Sequence, residues 1–364
     1  MKPPPEPAAG LDLIKPAVRN QPAYALKAHA ARRKLNHNES PYDVPPALKR
    51  EIAERMAWVP WHRYPEFTPA QLLDELAARF DWPADGILVG NGSNELIQAS
   101  LAVTLESGDR VVAPAPTFSL YRLLTSVFGG RYVPVALGPD FRYQMEPLIE
   151  VAARERARVV VLNSPNNPTG SALPPDAVER VLAATDALVI CDEAYQDFGG
   201  PTAVPLLAST PRVVVLRTFS KAFGLAGLRL GFALAHPAVA REIAKAKLPY
   251  NVNSLSLTAA TMLLAHPETE GRVAEIVATR DRTFARLSGI PALAVYPSAA
   301  NFILVRCLTV PAREVFRRLL EDYGILVRDV SAGPELAECL RISVGTPEDM
   351  DAVVTALETI LHAK

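Results

Sequence analysis

The stretch TFSKAFGLAGLRLGF, residues 218–232, places one lysine, Lys221, beside the hydroxyls of Thr218 and Ser220 and upstream of Arg229, in apolar, Gly-rich surroundings. An ammonium pressed into such surroundings loses hydration and its pKa falls, which makes the amine nucleophilic enough to form a Schiff base. A solvated loop lysine with incidental glycines is the other reading, and the stretch alone does not decide between them. A second signal is a carboxylate. ALVICDEAY ends an apolar run in Asp192, Glu193 and Tyr195. Burying Asp192 unpaired is costly, so it requires a cation, supplied either by a protein side chain or by a ligand, for example as a protonated ring nitrogen.

Three further clusters follow apolar runs. GNGSNE, residues 90–95, leads from a strand into a helix, where the backbone N–H groups of Gly92, Ser93 and Asn94 form an anion site without any side chain. A plain strand-to-helix turn explains it equally well. Glu95 stands where the dinucleotide fingerprint requires a third glycine, which argues against a nicotinamide enzyme. In PTFSLY, Phe118 can lie flat on a planar ring or pack against the core. In NSPNNPTG, Asn166 reads as a turn residue, whereas Asn167 has an amide that can donate to a ligand oxygen. Together these pieces describe one ligand. It has an aldehyde for Lys221, a ring nitrogen for Asp192, a flat face for Phe118, and a phosphate for the helix start and Arg229. That ligand is pyridoxal phosphate.

From residue 87 to about 232, short apolar runs alternate with helical patterns, the signature of an α/β fold with a mostly parallel central sheet flanked by helices. Such a sheet binds ligands beyond the carboxyl ends of its strands, where the polar clusters fall. After a long helix, about 268–287, the pattern changes to a smaller α+β unit. The reading divides the chain into a flexible, Pro-rich arm (1–23), a large cofactor-binding domain (45–265) and a small domain (24–44 with 266–364). Farther upstream, Thr68 and Pro69 are expected to cap a helix.

Composition limits the remaining options. The 38 Lys+Arg against 39 Asp+Glu leave a net charge of −1, which argues against nucleic-acid or membrane-surface binding. Every apolar run falls short of the ~20 residues of a membrane span. Cys191, Cys307 and Cys339 are odd in number and lack metal-ligand spacing, as expected of buried thiols in a reducing, cytoplasmic setting. The six histidines show no HxxxH spacing, so no metal site is expected.

The ordered set NPTG, DEAY, SKAFGLAGLRLG and RISVG resembles the fold type I, pyridoxal-phosphate-dependent aminotransferases. Within them, LNHNESPY, YP, GNGSNE and LRISVGT are most similar to the histidinol-phosphate aminotransferases. The resemblance runs from about Tyr24 to the C-terminus. It implies ping-pong transamination between L-histidinol phosphate and 2-oxoglutarate in histidine biosynthesis, carried out by a homodimer. The relatives that share these motifs leave an aromatic amino-acid aminotransferase or a threonine-phosphate-type decarboxylase as alternatives.

The resemblance also implies residue roles. Lys221 is the covalent anchor and proton carrier, and Asp192 keeps the cofactor's ring nitrogen protonated. Asn167 and Tyr195 bond its phenolic oxygen, and Phe118 stacks on its ring. Gly92, Ser93, Asn94, Thr218, Ser220 and Arg229 hold the phosphate, with Tyr64 reaching the neighbouring subunit's phosphate. Arg341 binds the carboxylate of the amino-acid partner and Arg328 the substrate phosphate, and Tyr24 and Asn38 line the substrate pocket. Two positions depart from the family pattern: Phe118 stands where Tyr is usual, and Ser40 where a second Asn is expected.

Overall fold

The apolar runs at 159–163, 188–192 and 213–218 become the three central strands of a seven-stranded sheet. The computed structural model describes residues 8–21, 29–266 and 268–362. In chain order its strands are β1 (Arg33–Lys34), β2 (Ile87–Gly90), β3 (Arg110–Ala115), β4 (Arg131–Ala136), β5 (Val159–Asn163), β6 (Leu188–Asp192), β7 (Val213–Thr218), β8 (Gly231–Ala235), β9 (Leu293–Tyr296), β10 (Phe302–Cys307), β11 (Ile325–Leu326), β12 (Arg328–Asp329) and β13 (Cys339–Ser343).

The large sheet runs β2-β8-β7-β6-β5-β3-β4. All of its pairings are parallel except the two made by β8, which is the reversed strand. Every residue of β5 and β7 is buried, and in β6 only Leu188 is partly open. Burial on both faces is why these strands read as unbroken apolar runs rather than alternating ones. The register aligns Asn163, Asp192 and Leu216 across β5, β6 and β7. The carboxyl ends of β2, β3, β5, β6 and β7 therefore collect on one edge. There β8 also begins, with Gly231 paired to both Gly90 and Thr218.

The second sheet is antiparallel, in the order β12-β13-β10-β9, and carries the helices Ala312–Glu321 and Pro347–His362. β1 pairs in parallel with β11, so the segment just before the site is anchored on this second unit. The helix Glu268–Ser288 packs against the helix Pro347–His362 and against β9.

Within the arm, residues 8–21 contain two four-residue helices, and Lys15 Nζ donates to the Val127 carbonyl at 3.0 Å. One local expectation is corrected. The next helix expected from Thr68 begins later, at Ala70, with Pro69 at its N-cap and no side-chain cap bond. Proline there fixes the entry angle through its own backbone, which leaves the Thr68 hydroxyl unused. The three cysteines are free and buried. Among the described residues no helix is long and apolar enough to cross a membrane, and no cluster of side chains fit to hold a metal ion occurs.

Candidate active site

Past the carboxyl edge of the large sheet, and facing β13 of the second, lies a cleft of about 410 Å³. Of the residues singled out from sequence, it is lined by Asn38, Ser93, Asn94, Phe118, Asn167, Asp192, Tyr195, Thr218, Ser220, Lys221, Arg229 and Arg341. Sequentially distant positions thus converge because each follows a strand that ends on the same edge.

At one end the helix Ser93–Thr104 points its first turn into the cleft. Its N-cap, Gly92, has φ +80°, and a Cβ there would lie 2.7 Å from Arg229 Nη2. A Cβ on Gly231 would lie 2.3 Å from the Ser93 nitrogen. Both positions need glycine, so that the helix start can press against β8 and the guanidinium. Arg229, itself left-handed at φ +54°, donates through Nη1 to Ser220 Oγ at 3.3 Å and to the Ala226 carbonyl at 3.1 Å. The Ser220 N–H donates to Thr218 Oγ1 at 3.1 Å. The result is a cradle of N–H, O–H and guanidinium donors of the kind that binds phosphate.

Asp192 is buried at the centre. Its Oδ2 accepts from the Tyr121 hydroxyl at 2.6 Å and its Oδ1 from the Ala194 N–H at 3.1 Å. Burial pushes its pKa up, and the two hydrogen bonds oppose that shift. Burial and the Asp192 charge drive the Tyr121 hydroxyl well above its usual range, so it remains a donor. Phe118 is half-buried and meets Tyr121 edge to face, with centroids 5.7 Å apart at 88°.

Lys221 is half-buried, and its Nζ donates to the His37 carbonyl at 2.9 Å. Burial first, then the charges of Arg341, Arg229 and Lys34, bring its pKa from 10.5 to about 7, against the pull of Glu39. A substantial fraction of the amine is therefore neutral near physiological pH, as a nucleophile or base must be.

On the facing side, Arg341 donates through Nη1 to Asn167 Oδ1 at 2.5 Å and through Nη2 to the Asn36 carbonyl at 2.8 Å. The Asn38 side chain is committed to the protein: Nδ2 donates to the Tyr195 hydroxyl at 3.0 Å and Oδ1 accepts from Ser343 Oγ at 3.0 Å. Asn38 thus both lines the cleft and holds Tyr195 in place. Asn166 is fully buried among Thr117, Pro116 and Thr169, a structural role.

Two of the expected residues lie elsewhere. Tyr64 is 79% exposed and stacks on Tyr250, with centroids 4.5 Å apart at 16°. Arg328 does not line the cleft, but β12 places it directly opposite Arg341. Tyr24 lies outside the described residues. Sequence reasoning missed Tyr121, Asn163 and His37. Tyr121 follows Phe118 by three residues, nearly one helical turn, and that spacing was the available signal. Asn163 Nδ2 donates to the Asp192 carbonyl, and His37 acts through its backbone oxygen, which no side-chain pattern announces.

A lysine with a depressed pKa, a buried carboxylate with no cationic partner among the described residues, and a cradle of phosphate donors, all beyond one sheet edge, define a pyridoxal-phosphate site. The family pattern for aminotransferase class I and II matches residues 33–357, and the chain belongs to that family. It is a pyridoxal-phosphate-dependent aminotransferase. More particularly, it is 37% identical over 350 residues to a histidinol-phosphate aminotransferase of Chlorobaculum parvum, covering 95% of this chain and 98% of that protein. To one of Ruminiclostridium cellulolyticum it is 36% identical over 358 residues, covering 97% and 99%. Among solved structures, the histidinol-phosphate aminotransferase of Sinorhizobium meliloti in complex with pyridoxal-5'-phosphate superposes with a TM-score of 0.85 at 27% identity, over 96% of this chain and 98% of that one.

Proposed function

We propose that this chain transfers the amino group of L-histidinol phosphate to 2-oxoglutarate, and that it works as a homodimer in the cytoplasm. The observation that carries the substrate is the register of β12 on β13, which sets Arg328 opposite Arg341 on one face of the second sheet. Two guanidinium groups on one face recognise anions such as phosphate and carboxylate. A substrate bearing a phosphate, alternating with a co-substrate bearing carboxylates, supplies those anions. The curated relatives named above support the same reading.

In this reading the domains divide as 45–265 for the cofactor, and 24–44 with 266–364 for the substrate side. Gly92, Ser93, Asn94, Thr218, Ser220 and Arg229 hold the cofactor phosphate, Phe118 covers the ring, and Asn167 and Tyr195 bond its phenolic oxygen. Asp192 holds a proton on the ring nitrogen. Bound there, the cofactor supplies an aldehyde and an electron-accepting ring that stabilises negative charge on the substrate's Cα. Lys221, with its pKa brought to about 7, would serve as the base that takes the proton from that Cα. Arg341 orients carboxylates and Arg328 the phosphate.

The dimer is supported by exposed aromatic side chains within residues 58–67, Trp58 (89% exposed), Trp61 (80%), Tyr64 and Phe67 (71%), the last two gathered on Tyr250. Surfaces of that kind mark protein interfaces. Tyr64 is the residue offered to the neighbour's phosphate.

The test is a comparison of amino donors with 2-oxoglutarate as acceptor. Histidinol phosphate is expected to be turned over with a much higher kcat/KM than phenylalanine. A preference for phenylalanine, or release of carbon dioxide from a phosphorylated amino acid, would replace the substrate assignment. Sedimentation velocity checks the dimer.

A further inference from the structure

The phosphate cradle is tied to the exposed aromatic surface through one carboxylate. Glu95 is the third residue of the helix Ser93–Thr104 and contributes nothing to the lining of the cleft. An acid in the first turn suits the helix dipole, yet here it also brings a negative charge close to an anion site. Its Oε2 accepts two hydrogen bonds, from the Asn91 N–H at 2.5 Å and from Asn251 Nδ2 at 2.8 Å. Asn91 Nδ2 in turn donates to the Asn251 carbonyl at 3.4 Å. The turn that shapes the cradle and the loop before the helix Ser254–Leu264 are thereby closed on each other. Lys247, on the same loop, is disfavoured as an ammonium by burial and favoured by the charge of Glu95.

The loop also presents Tyr250. This residue has φ +56°, a conformation that side chains rarely adopt unless surrounding contacts enforce it. Its ring stacks on Tyr64 and meets Phe67 edge-on, with centroids 5.6 Å apart at 76°. Tyr64 and Phe67 are largely exposed and Tyr250 is 43% exposed, so burial within this chain does little to fix the stack. What fixes it is the backbone at 250 and 251, and Glu95 grips that backbone's neighbour.

We infer that Glu95 is a positioning residue that clamps the loop 247–251 to the cofactor-phosphate cradle, so that occupancy of the cradle fixes the Tyr64–Tyr250 stack the subunit presents to its partner. The last part rests on the dimeric reading above, whereas the clamp itself does not. An anion at the helix start restrains residues 91–94. Because the Asn91 amide and side chain both join the Glu95–Asn251 pair, that restraint passes to the loop. By linkage, a fixed loop tightens cofactor binding by the same factor.

The experiment uses the apoprotein and its pyridoxal-phosphate complex of the wild type, Glu95→Gln, Glu95→Ala and Asn251→Ala. Amide hydrogen exchange is followed over 60–67 and 247–252, and cofactor affinity is read from absorbance on reconstitution. Glutamine keeps the accepting oxygen and alanine does not. In the wild type and Glu95→Gln, the cofactor is expected to slow exchange over 247–252 by about fivefold or more, and in Glu95→Ala and Asn251→Ala by less than about twofold, whereas 60–67 is also protected directly if Tyr64 meets the partner's cofactor phosphate. Cofactor affinity falls several-fold in Glu95→Ala and is unchanged or slightly tighter in Glu95→Gln, where a negative charge beside the phosphate is gone. The clamp is overturned if the cofactor leaves wild-type exchange over 247–252 unaltered, if Asn251→Ala responds there like the wild type, or if Glu95→Gln behaves like Glu95→Ala. Asn251→Ala leaves the Asn91–Glu95 bond in place, so it carries the test even if Glu95→Ala does not fold. A monomeric wild type would refute the dimeric reading and leave the exchange result standing.

Discussion

Asp192 and Glu193 are consecutive, equally buried carboxylates at the end of β6, and the protein treats them in opposite ways. Neighbours along a strand point to opposite faces. On one face Glu193 meets a complete set of partners: Arg217 Nη2 at 2.7 Å, the Thr202 hydroxyl at 2.8 Å and the Ala203 N–H at 2.6 Å. On the other, Asp192 meets only the Tyr121 hydroxyl and one backbone N–H. Burial pushes both pKa values up, but the leading opposing influence is the Arg217 charge for Glu193 and merely a hydrogen bond for Asp192. Burial and chemical group are the same and the positions adjoin, so the difference lies in whether the chain itself supplies the cation. Where it does, the carboxylate belongs to the architecture. Where it does not, the carboxylate is held ready for a ligand.

That distinction predicts opposite phenotypes from two isosteric changes. Asp192→Asn is expected to lower kcat by about 10²–10³-fold, because the amide cannot hold a proton on the ring nitrogen, with little change in thermal unfolding of the apoprotein. Glu193→Gln is expected to do the reverse, since it leaves Arg217 buried without its main counter-charge. Unfolding free energy should drop by about 3–5 kcal/mol while kcat of the folded fraction stays within about threefold. The two carboxylates would be equivalent, and the comparison broken, if Asp192→Asn lost stability and kept its turnover.

A smaller effect sharpens the same contrast. Tyr121→Phe removes a charge-assisted hydrogen bond of about 1.5–3 kcal/mol and leaves the ring packing intact. Cofactor affinity, measured by equilibrium dialysis, is expected to fall about tenfold. The sign on pH follows from the bond's direction. The bond opposes the rise of the Asp192 pKa, so its loss lets that pKa climb, and the acid limb of cofactor binding moves to higher pH. An unmoved acid limb would show that Tyr121 only fills space.

How far these roles can be read from the sequence depends on which face of β6 is considered. An apolar run ending in Asp-Glu marks both carboxylates, and the strand ends that deliver Asn167, Asp192 and Lys221 to one edge follow from alternating patterns. Which of the two acids is paired internally does not follow, because Arg217 lies on β7 and meets Glu193 only through the parallel register of β6 on β7. The same holds for His37, whose contribution is a carbonyl, and for Asn38, which lines the cleft as expected but whose bonds to Tyr195 and Ser343 no local pattern announces. Side-chain chemistry is legible in sequence. Backbone acceptors and long-range partners are not, since they depend on strand register and on how the two sheets meet.

The last and smallest test concerns Lys221, which lines the same cleft as Asp192 but makes no ion pair with it among the described residues. The amine instead donates to the His37 carbonyl, and burial, followed by the Arg341 charge, brings its pKa to about 7. A lysine that is neutral when folded and protonated when unfolded makes the unfolded state bind more protons between pH 7 and 10.5, so apoprotein stability should rise with pH through that window. Below about pH 7 the ammonium forms in both states and its desolvation cost is fully present, and above 10.5 neither state carries the charge. Lys221→Met should lack that slope. The rate at which the apoprotein captures pyridoxal phosphate should rise with a midpoint near pH 7 and level off above it, because only the neutral amine attacks. Arg341→Met, by removing the second cause, should move the midpoint upward without restoring 10.5. A wild-type midpoint near 10.5 would mean that the surroundings do not lower the amine's pKa, and that Lys221 behaves as an ordinary solvated lysine.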